Sequence, residues 1–222
     1  MFLNTDAPTK TETEREFAIS FETMLGGVKQ FMYGIIGAIA FSLLLVTANA
    51  GPIAKSWGFS AGVLTLAATL SPLANGGARV FWGWASDRLG RETTMILTFV
   101  LQAICLASVV TLGQVSGAWF AATLVAVYFT WGQVYSLFPS ASADYFGTRN
   151  ATSNYAVLYT AKGVASIIGG WFGALLYEQS GSWVTGFYGS ALMALIAAGI
   201  AVKLRASSAA PKPKTAGVPA TA

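Results

Sequence analysis

Long apolar runs, separated by short clusters of charge, set the pattern of this chain. No acidic or basic side chain occurs between Lys29 and Lys55, or between Lys55 and Arg79. The stretch from Glu92 to Asp144 is equally free of them and long enough for two helices, with a break at Gly113–Gly117 (GQVSG). A further apolar region runs from Arg149 to Glu178, interrupted by Lys162, and another from Glu178 to Lys203. A membrane-spanning helix needs about 20 mostly apolar residues. The runs therefore predict six helices, at about 30–50, 60–84, 93–112, 117–139, 153–177 and 183–203. They are continuous rather than alternating, which argues against a spanning β-barrel.

Composition agrees with the pattern. Of 222 residues, 55% are hydrophobic and 10% charged, and the mean hydropathy is +0.59, a membrane composition rather than that of a soluble core. The flanking cations predict orientation. With both termini cytoplasmic, Lys10, Arg15, Lys29, Arg88, Arg91, Arg149, Lys203, Arg205, Lys212 and Lys214 all lie inside, and only Lys55 lies outside. The expectation is a multi-pass protein of the plasma (inner) membrane, with the lipid bilayer as its surroundings. The basic balance then reflects topology and gives no reason to invoke nucleic acid. A single cysteine, Cys105, and no histidine exclude an internal disulfide, a Cys/His metal site and a histidine base. With no nucleophile–base pair or phosphate loop, an enzyme is not expected and no cofactor is implied.

The chain divides into a charged segment at 1–29, expected to be cytoplasmic, a membrane domain at 30–203, and a disordered basic cytoplasmic tail at 204–222 rich in Pro, Ala and Lys. The six helices form two triplets. The middle helix of each carries one cation, Arg79 or Lys162, and one glycine pair, Gly76-Gly77 or Gly169-Gly170. This weak internal symmetry fits an inverted three-plus-three repeat. Gly169-x-x-x-Gly173 reads as a close-packing helix face.

Those two cations are the strongest chemical signal. A charge near the bilayer centre costs roughly 2.5–3.5 kcal/mol on insertion scales. Arg79 is expected about 5 residues, and Lys162 about 8 or 9, from the cytoplasmic ends of their helices, at about 1.5 Å per residue. Snorkelling to the headgroups is the alternative use, easier for Arg79 than for Lys162. No Asp or Glu falls within the predicted spans, so a structural ion pair would need Asp87, Asp144 or Glu178 to reach in from a loop. The simplest use is to hold an anion that has left water. Tyr128, Trp131 and Tyr135 share one face of the fourth helix, and Tyr155 and Tyr159 share the Lys162 face. Such rings can wall a small site, stack on cations and donate hydrogen bonds to carboxylates, or simply pack at the lipid interface. Asn75 shares the Arg79 face, and Pro72 is a candidate kink.

After the second helix comes Gly83-Trp84-Ala85-Ser86-Asp87-Arg88-Leu89-Gly90-Arg91-Glu92. Gly83 and Gly90 allow a tight reversal. Asp87 could cap a helix, and Arg88 and Arg91 could pair or hold the inside face. The spacing G-x-x-x-D-R-x-G-R resembles the signature loop of the major facilitator superfamily. Glu92 departs from that pattern, which usually continues with a basic residue. NGGARVFWGWASDRLGRE together with NYAVLYTAKGVASIIGG is similar to the second half of the oxalate/formate antiporter group within that superfamily. The resemblance covers about 30–203 and implies an all-α membrane fold, with six transmembrane helices equivalent to the C-terminal half of a twelve-helix transporter. It implies that Arg79 and Lys162 hold a small carboxylate anion, that Trp131, Tyr135 and Tyr159 frame it, and that Gly83, Asp87, Arg88, Gly90 and Arg91 form a gating signature. It also implies a partner, an N-terminal six-helix half that this chain lacks; the acidic segment before residue 30 resembles the end of the central loop.

The expected function is carboxylate exchange of the oxalate/formate type by alternating access. A monocarboxylate or other organic-anion carrier of the same superfamily is the alternative within transport. A non-transporting membrane subunit or receptor built on half a carrier is the alternative outside it.

Overall fold

A computed structural model describes residues 28, 30–146 and 151–208, and every regular element among them is a helix. In chain order these are α1 (Gln30–Ala48), α2 (Ala50–Ser56), α3 (Ala61–Leu89), α4 (Arg91–Thr111), α5 (Gly117–Trp131), α6 (Val134–Phe146), α7 (Ala151–Ser180) and α8 (Val184–Ser208). Four stretches are long and apolar enough to cross a membrane: Gln30–Ala48, Arg91–Thr111, Gly117–Tyr145 and Val184–Ala206. The other two long helices, α3 and α7, are the cation carriers, and their Gly, Ser, Thr and Asn content dilutes their apolarity.

Several elements differ from the sequence expectation. The run expected as one helix at 117–139 is broken after Trp131 into α5 and α6, with Gly132 and Gln133 between them. The expected reversal at Gly83–Glu92 is nearly all helix. α3 continues through Asp87 and Arg88 to Leu89, and Gly90 alone makes the turn at φ 87°, a left-handed conformation that favours glycine. α8 runs past the expected start of the tail at 204 to Ser208, with Ala201 and Leu204 fully buried and Lys203 and Arg205 on its exposed side. The segment at 1–29 lies almost entirely outside the described residues, as does the tail beyond 208.

Small-residue contacts bring the helices of the bundle together. α4 packs along α8 and α5, and α3 packs along α5. α8 turns Ala191, Ala194, Ala197, Ala198 and Ala201 inward, and small side chains let helices approach closely where lipid gives no hydrophobic drive between them. α7 meets α1 through its glycines. A Cβ on Gly169 would lie 3.1 Å from the Leu45 amide nitrogen, and one on Gly173 would lie 2.6 Å from Asn49 Nδ2. Gly76 and Gly77, their expected counterparts on α3, have no neighbour within 4 Å. Many hydroxyls bond to carbonyls of the preceding turn, as Thr98 does to Thr94 and Ser108 to Cys105, which satisfies their donors in an apolar medium; Ser142 and Ser190 are buried with no such partner.

Far from Gly90, an aromatic cluster ties the turn between α2 and α3 to the bundle. Trp57 stacks on Phe187 of α8 at 5.8 Å and meets Phe120 of α5 edge-on at 5.7 Å, while Phe59 contacts Phe120 at 5.1 Å. Aromatic pairs in these geometries add about 0.5–1.5 kcal/mol each beyond area burial. Trp57→Ala should lower unfolding stability by about 3 kcal/mol, and Trp57→Phe by less than half as much. Thermal melting in detergent micelles checks this, and equal losses for the two variants would show that the ring contacts are not what matters there.

Candidate functional site

The two cations converge on one tyrosine. Tyr135 stands on the first turn of α6, directly after the helix break. The Arg79 guanidinium, from α3, lies over its ring with Cζ 4.1 Å from the centroid. Lys162, from α7, donates from Nζ to the Tyr135 hydroxyl at 2.7 Å and to the Tyr159 hydroxyl at 2.8 Å. The same ammonium is 4.9 Å from the centre of the Tyr135 ring and 4.8 Å from that of Tyr159. Trp131 Nε1 donates to the Tyr135 hydroxyl at 3.3 Å, with the two rings edge to face. The structure thus brings Arg79, Lys162, Trp131, Tyr135 and Tyr159 together, with the Tyr155 ring tilted against that of Tyr159 at 5.6 Å.

Depth along the helices supports the pairing. Arg79 lies ten residues before the end of α3 at Leu89, and Lys162 eleven residues after the start of α7 at Ala151. That is about 15 Å from either helix end at 1.5 Å per residue. Arg79 is therefore twice as far from its helix end as expected, because α3 does not stop at Trp84.

Neither cation has an ion pair among the described residues; the two ion pairs present both belong to Arg91. Laid end to end, the ring-centroid distances put the charges no more than about 9 Å apart, so they repel by roughly 2 kcal/mol at an effective dielectric of about 20. Each cation–π contact returns about 0.5–2 kcal/mol. The aromatic cage thus offsets the repulsion but leaves both charges in place. A carboxylate between them would attract both and could accept two parallel bonds from the guanidinium.

Helix α3 fixes this arrangement through the break. At the break between α5 and α6, α3 side chains meet two carbonyls of the last α5 turn: Trp82 Nε1 donates to the Phe129 carbonyl at 3.0 Å, and Asn75 Nδ2 donates at 3.1 Å to the Tyr128 carbonyl, which also accepts from the Gly132 N–H at 3.2 Å. Pro139, inside α6, has no N–H to give the Tyr135 carbonyl, so the Tyr135 turn is softened on both sides. The break itself was not anticipated. Its only sequence signal is Gly132 in the middle of an apolar run.

At the Gly90 end, Arg91 binds Asp87 at 2.7 Å, Ser86 Oγ at 2.7 Å and, across the bundle, Asp144 of α6 at 3.1 Å. The Tyr145 hydroxyl, next along, donates to Glu92, so the departure from the family pattern has its own partner. Arg88 lies over the Trp84 ring at 4.4 Å. Asp87 caps no helix. Its carboxylate faces Arg91, and α4 begins at Arg91 with Gly90 before it and no side-chain cap. Gly83 faces Ser136 at ordinary contact distance. Sequence reasoning missed the α6 partners Asp144 and Tyr145, which lie 53 residues away from theirs.

Four helical stretches among the described residues, each long and apolar enough to cross a membrane, mark an integral membrane protein. The chain belongs to the Major Facilitator Superfamily, whose family model matches residues 31–221. It is 41% identical over 164 residues to the oxalate:formate antiporter of Oxalobacter formigenes, an alignment covering 74% of this chain and 39% of that protein. It is 29% identical over 101 residues to the MFS-type transporter YhjX of Escherichia coli (strain K12), covering 46% of this chain and 25% of that one. It is 31% identical over 84 residues to apicoplast pyruvate carrier 2 of Toxoplasma gondii, covering 38% and 13%. The chain thus spans well under half the length of these curated relatives.

The fit of α3 at the break can be tested. A Cβ on Gly132 would lie 2.5 Å from Ala78 Cβ and 2.7 Å from the Asn75 carbonyl oxygen, both on α3. Gly132→Ala should push α5 and α6 off α3 at a cost of about 1–3 kcal/mol, read as a lower melting temperature in detergent. Gly83→Ala, whose Cβ would be 3.8 Å from Ser136 Cβ, should be tolerated at the same helix interface.

Proposed function

We propose that this chain is one six-helix half of a secondary transporter that exchanges small carboxylate anions, of the oxalate/formate type, by alternating access. One observation carries the reading: two cations with no acidic partner among the described residues share the Tyr135 ring in a chain 41% identical over 164 residues to an oxalate:formate antiporter. Arg79 and Lys162 each meet one carboxylate of a dianion, while Trp131, Tyr135 and Tyr159 wall the space around it. An empty cavity holding two uncompensated charges is costly to close to water. A bound dianion removes that cost, so loaded carriers reorient and empty ones do not, which favours exchange over net flux.

The same reading assigns the remaining parts. α1, α3 and α4 form one triplet, and the α5–α6 span, α7 and α8 an inverted second. Both termini and the Gly90 turn are cytoplasmic, in the plasma (inner) membrane, as the flanking Lys and Arg require. Asp87, Arg88 and Arg91 with their partners hold the cytoplasmic end shut or release it. The N-terminal six-helix half closes the site over α3 and α7. In support, these helices expose Leu70, Leu73, Val80, Val164, Ile167 and Trp171 in the same stretches that carry Arg79 and Lys162. A second reading, a monocarboxylate carrier, has the likeness to a pyruvate carrier in its favour.

Counterflow of labelled oxalate into proteoliposomes, with an N-terminal half supplied, tests the proposal. Each charge-assisted contact contributes about 1.5–3 kcal/mol, so Lys162→Gln or Arg79→Gln should slow oxalate exchange by at least about tenfold, well beyond any fall in folded protein. If Lys162→Gln exchanges oxalate like the parent, the two-cation clamp is wrong. Loss of pyruvate or formate transport in step with oxalate across both variants would favour the monocarboxylate reading. No counterflow in any combination would point to a non-transporting role.

A further inference from the structure

Arg79 is aimed by a neighbour that carries no charge. Asn75, one helical turn earlier on α3, is buried at 8% exposure. Its Nδ2 donates to the Tyr128 carbonyl at 3.1 Å, and its Oδ1 accepts from Arg79 Nη2 at 3.1 Å. This amide orientation is dictated by chemistry. Tyr128 offers only an acceptor and the guanidinium only donors, so a flipped amide would set acceptor against acceptor and donor against donor. The guanidinium is therefore pinned between a fixed amide oxygen and the Tyr135 ring, and its other N–H groups stay available.

We infer that Asn75 is a specificity-determining positioning residue, a neutral acceptor that holds Arg79 in the aromatic site without cancelling its charge and so sets the preference for dianions over monoanions. The inference rests on the reading of Arg79 and Lys162 as carboxylate holders. A single carboxylate is met by Lys162 between its two phenols, and the second carboxylate of a dianion depends on Arg79. An aspartate at 75 would have nearly the same shape. It would supply Arg79 with a resident carboxylate, leave one uncompensated cation instead of two, and turn an acceptor toward the Tyr128 carbonyl. An alanine would keep both charges but release Arg79 from its anchor.

The experiment measures equilibrium binding of oxalate and of formate to the full chain in detergent, with its N-terminal half where the chain alone does not bind. Asn75→Ala should lower the oxalate-to-formate affinity ratio by at least about tenfold, the loss of one hydrogen bond to a charged group, and Asn75→Asp, which cancels the charge as well, by more, about 100-fold. A role in packing alone would weaken both anions in parallel and leave the ratio unchanged. An unchanged ratio in Asn75→Ala, or in a folded Asn75→Asp, overturns the inference; the alanine variant decides it if the aspartate variant does not fold. Arg79→Gln runs alongside. If it retains oxalate binding, or if the parent protein binds neither anion, the underlying clamp fails. If it loses oxalate while the Asn75 variants keep the ratio, only the role of Asn75 fails.

Discussion

Two positive charges held against one tyrosine ring are the constraint around which the rest of the structure is arranged. An ordinary fold would pair Arg79 and Lys162 with carboxylates, because a charge among apolar helices is costly until something compensates it. Phenols and π-faces compensate only partly. They orient the cations and soften their mutual repulsion, and they leave the net charge of the site untouched. Tyr135 does both tasks at once, giving its face to Arg79 and its hydroxyl oxygen to Lys162 and Trp131. A single side chain therefore transmits a shift of either cation to the other.

That arrangement depends on an interrupted helix. Had α5 run unbroken into α6, the Phe129 carbonyl would be committed to the helical ladder, and Trp82 would lose a partner that now fixes α3 there; the Tyr128 carbonyl closes the last turn of α5 onto Gly132 and accepts from Asn75 as well. The break lets α3 come close enough that only glycine fits at position 132. The close approach in turn carries Arg79 over the ring. Backbone irregularity at membrane depth is tolerated where protein side chains satisfy the freed groups, and here the groups that satisfy it are the neighbours of the cation itself. Position 75 joins the two: its amide holds the break on one side and the guanidinium on the other.

Much of this could be read in the sequence because charge is sparse. With so few ionisable residues, Arg79 and Lys162 stand out, and the glycine and charge spacing from Gly83 to Arg91 carries the family resemblance. The rings at Trp131, Tyr135 and Tyr159 followed from helical spacing, although the face shared by Tyr128 and Tyr135 is now divided by the break. What stayed hidden has physical causes. The break at Gly132–Gln133 lies in a run whose apolar content reads as continuous, and one glycine does not end a helix by itself. The end of α3 was placed at Trp84 because apolarity stops there, whereas the helix continues through Ala85 to Leu89 while charged side chains project outward. Partners such as Arg91 and Asp144 are distant in sequence, and no periodicity connects them. The glycine pairs are alike in sequence, yet a Cβ on Gly169 would press on the α1 backbone and one on Gly76 would meet nothing within 4 Å.

The difference between those glycine pairs leads to a last step. α7 uses its small residues inward, against α1, and turns Val164, Ile167 and Trp171 outward. α3 leaves Gly76 and Gly77 open, one turn from Arg79 and beside exposed Leu73 and Val80. Lipid alone would not call for a glycine pair on an exposed face, since glycine weakens a helix by roughly 0.5–1 kcal/mol relative to alanine. A second helix crossing at close range would, because small residues allow two backbones to approach. On the proposed reading, the open glycines of α3 mark where the other half crosses nearest to the arginine. Its contact would then bear on the same turn of helix that Asn75 and Arg79 occupy, so closing the cavity and aiming the guanidinium would be one movement rather than two.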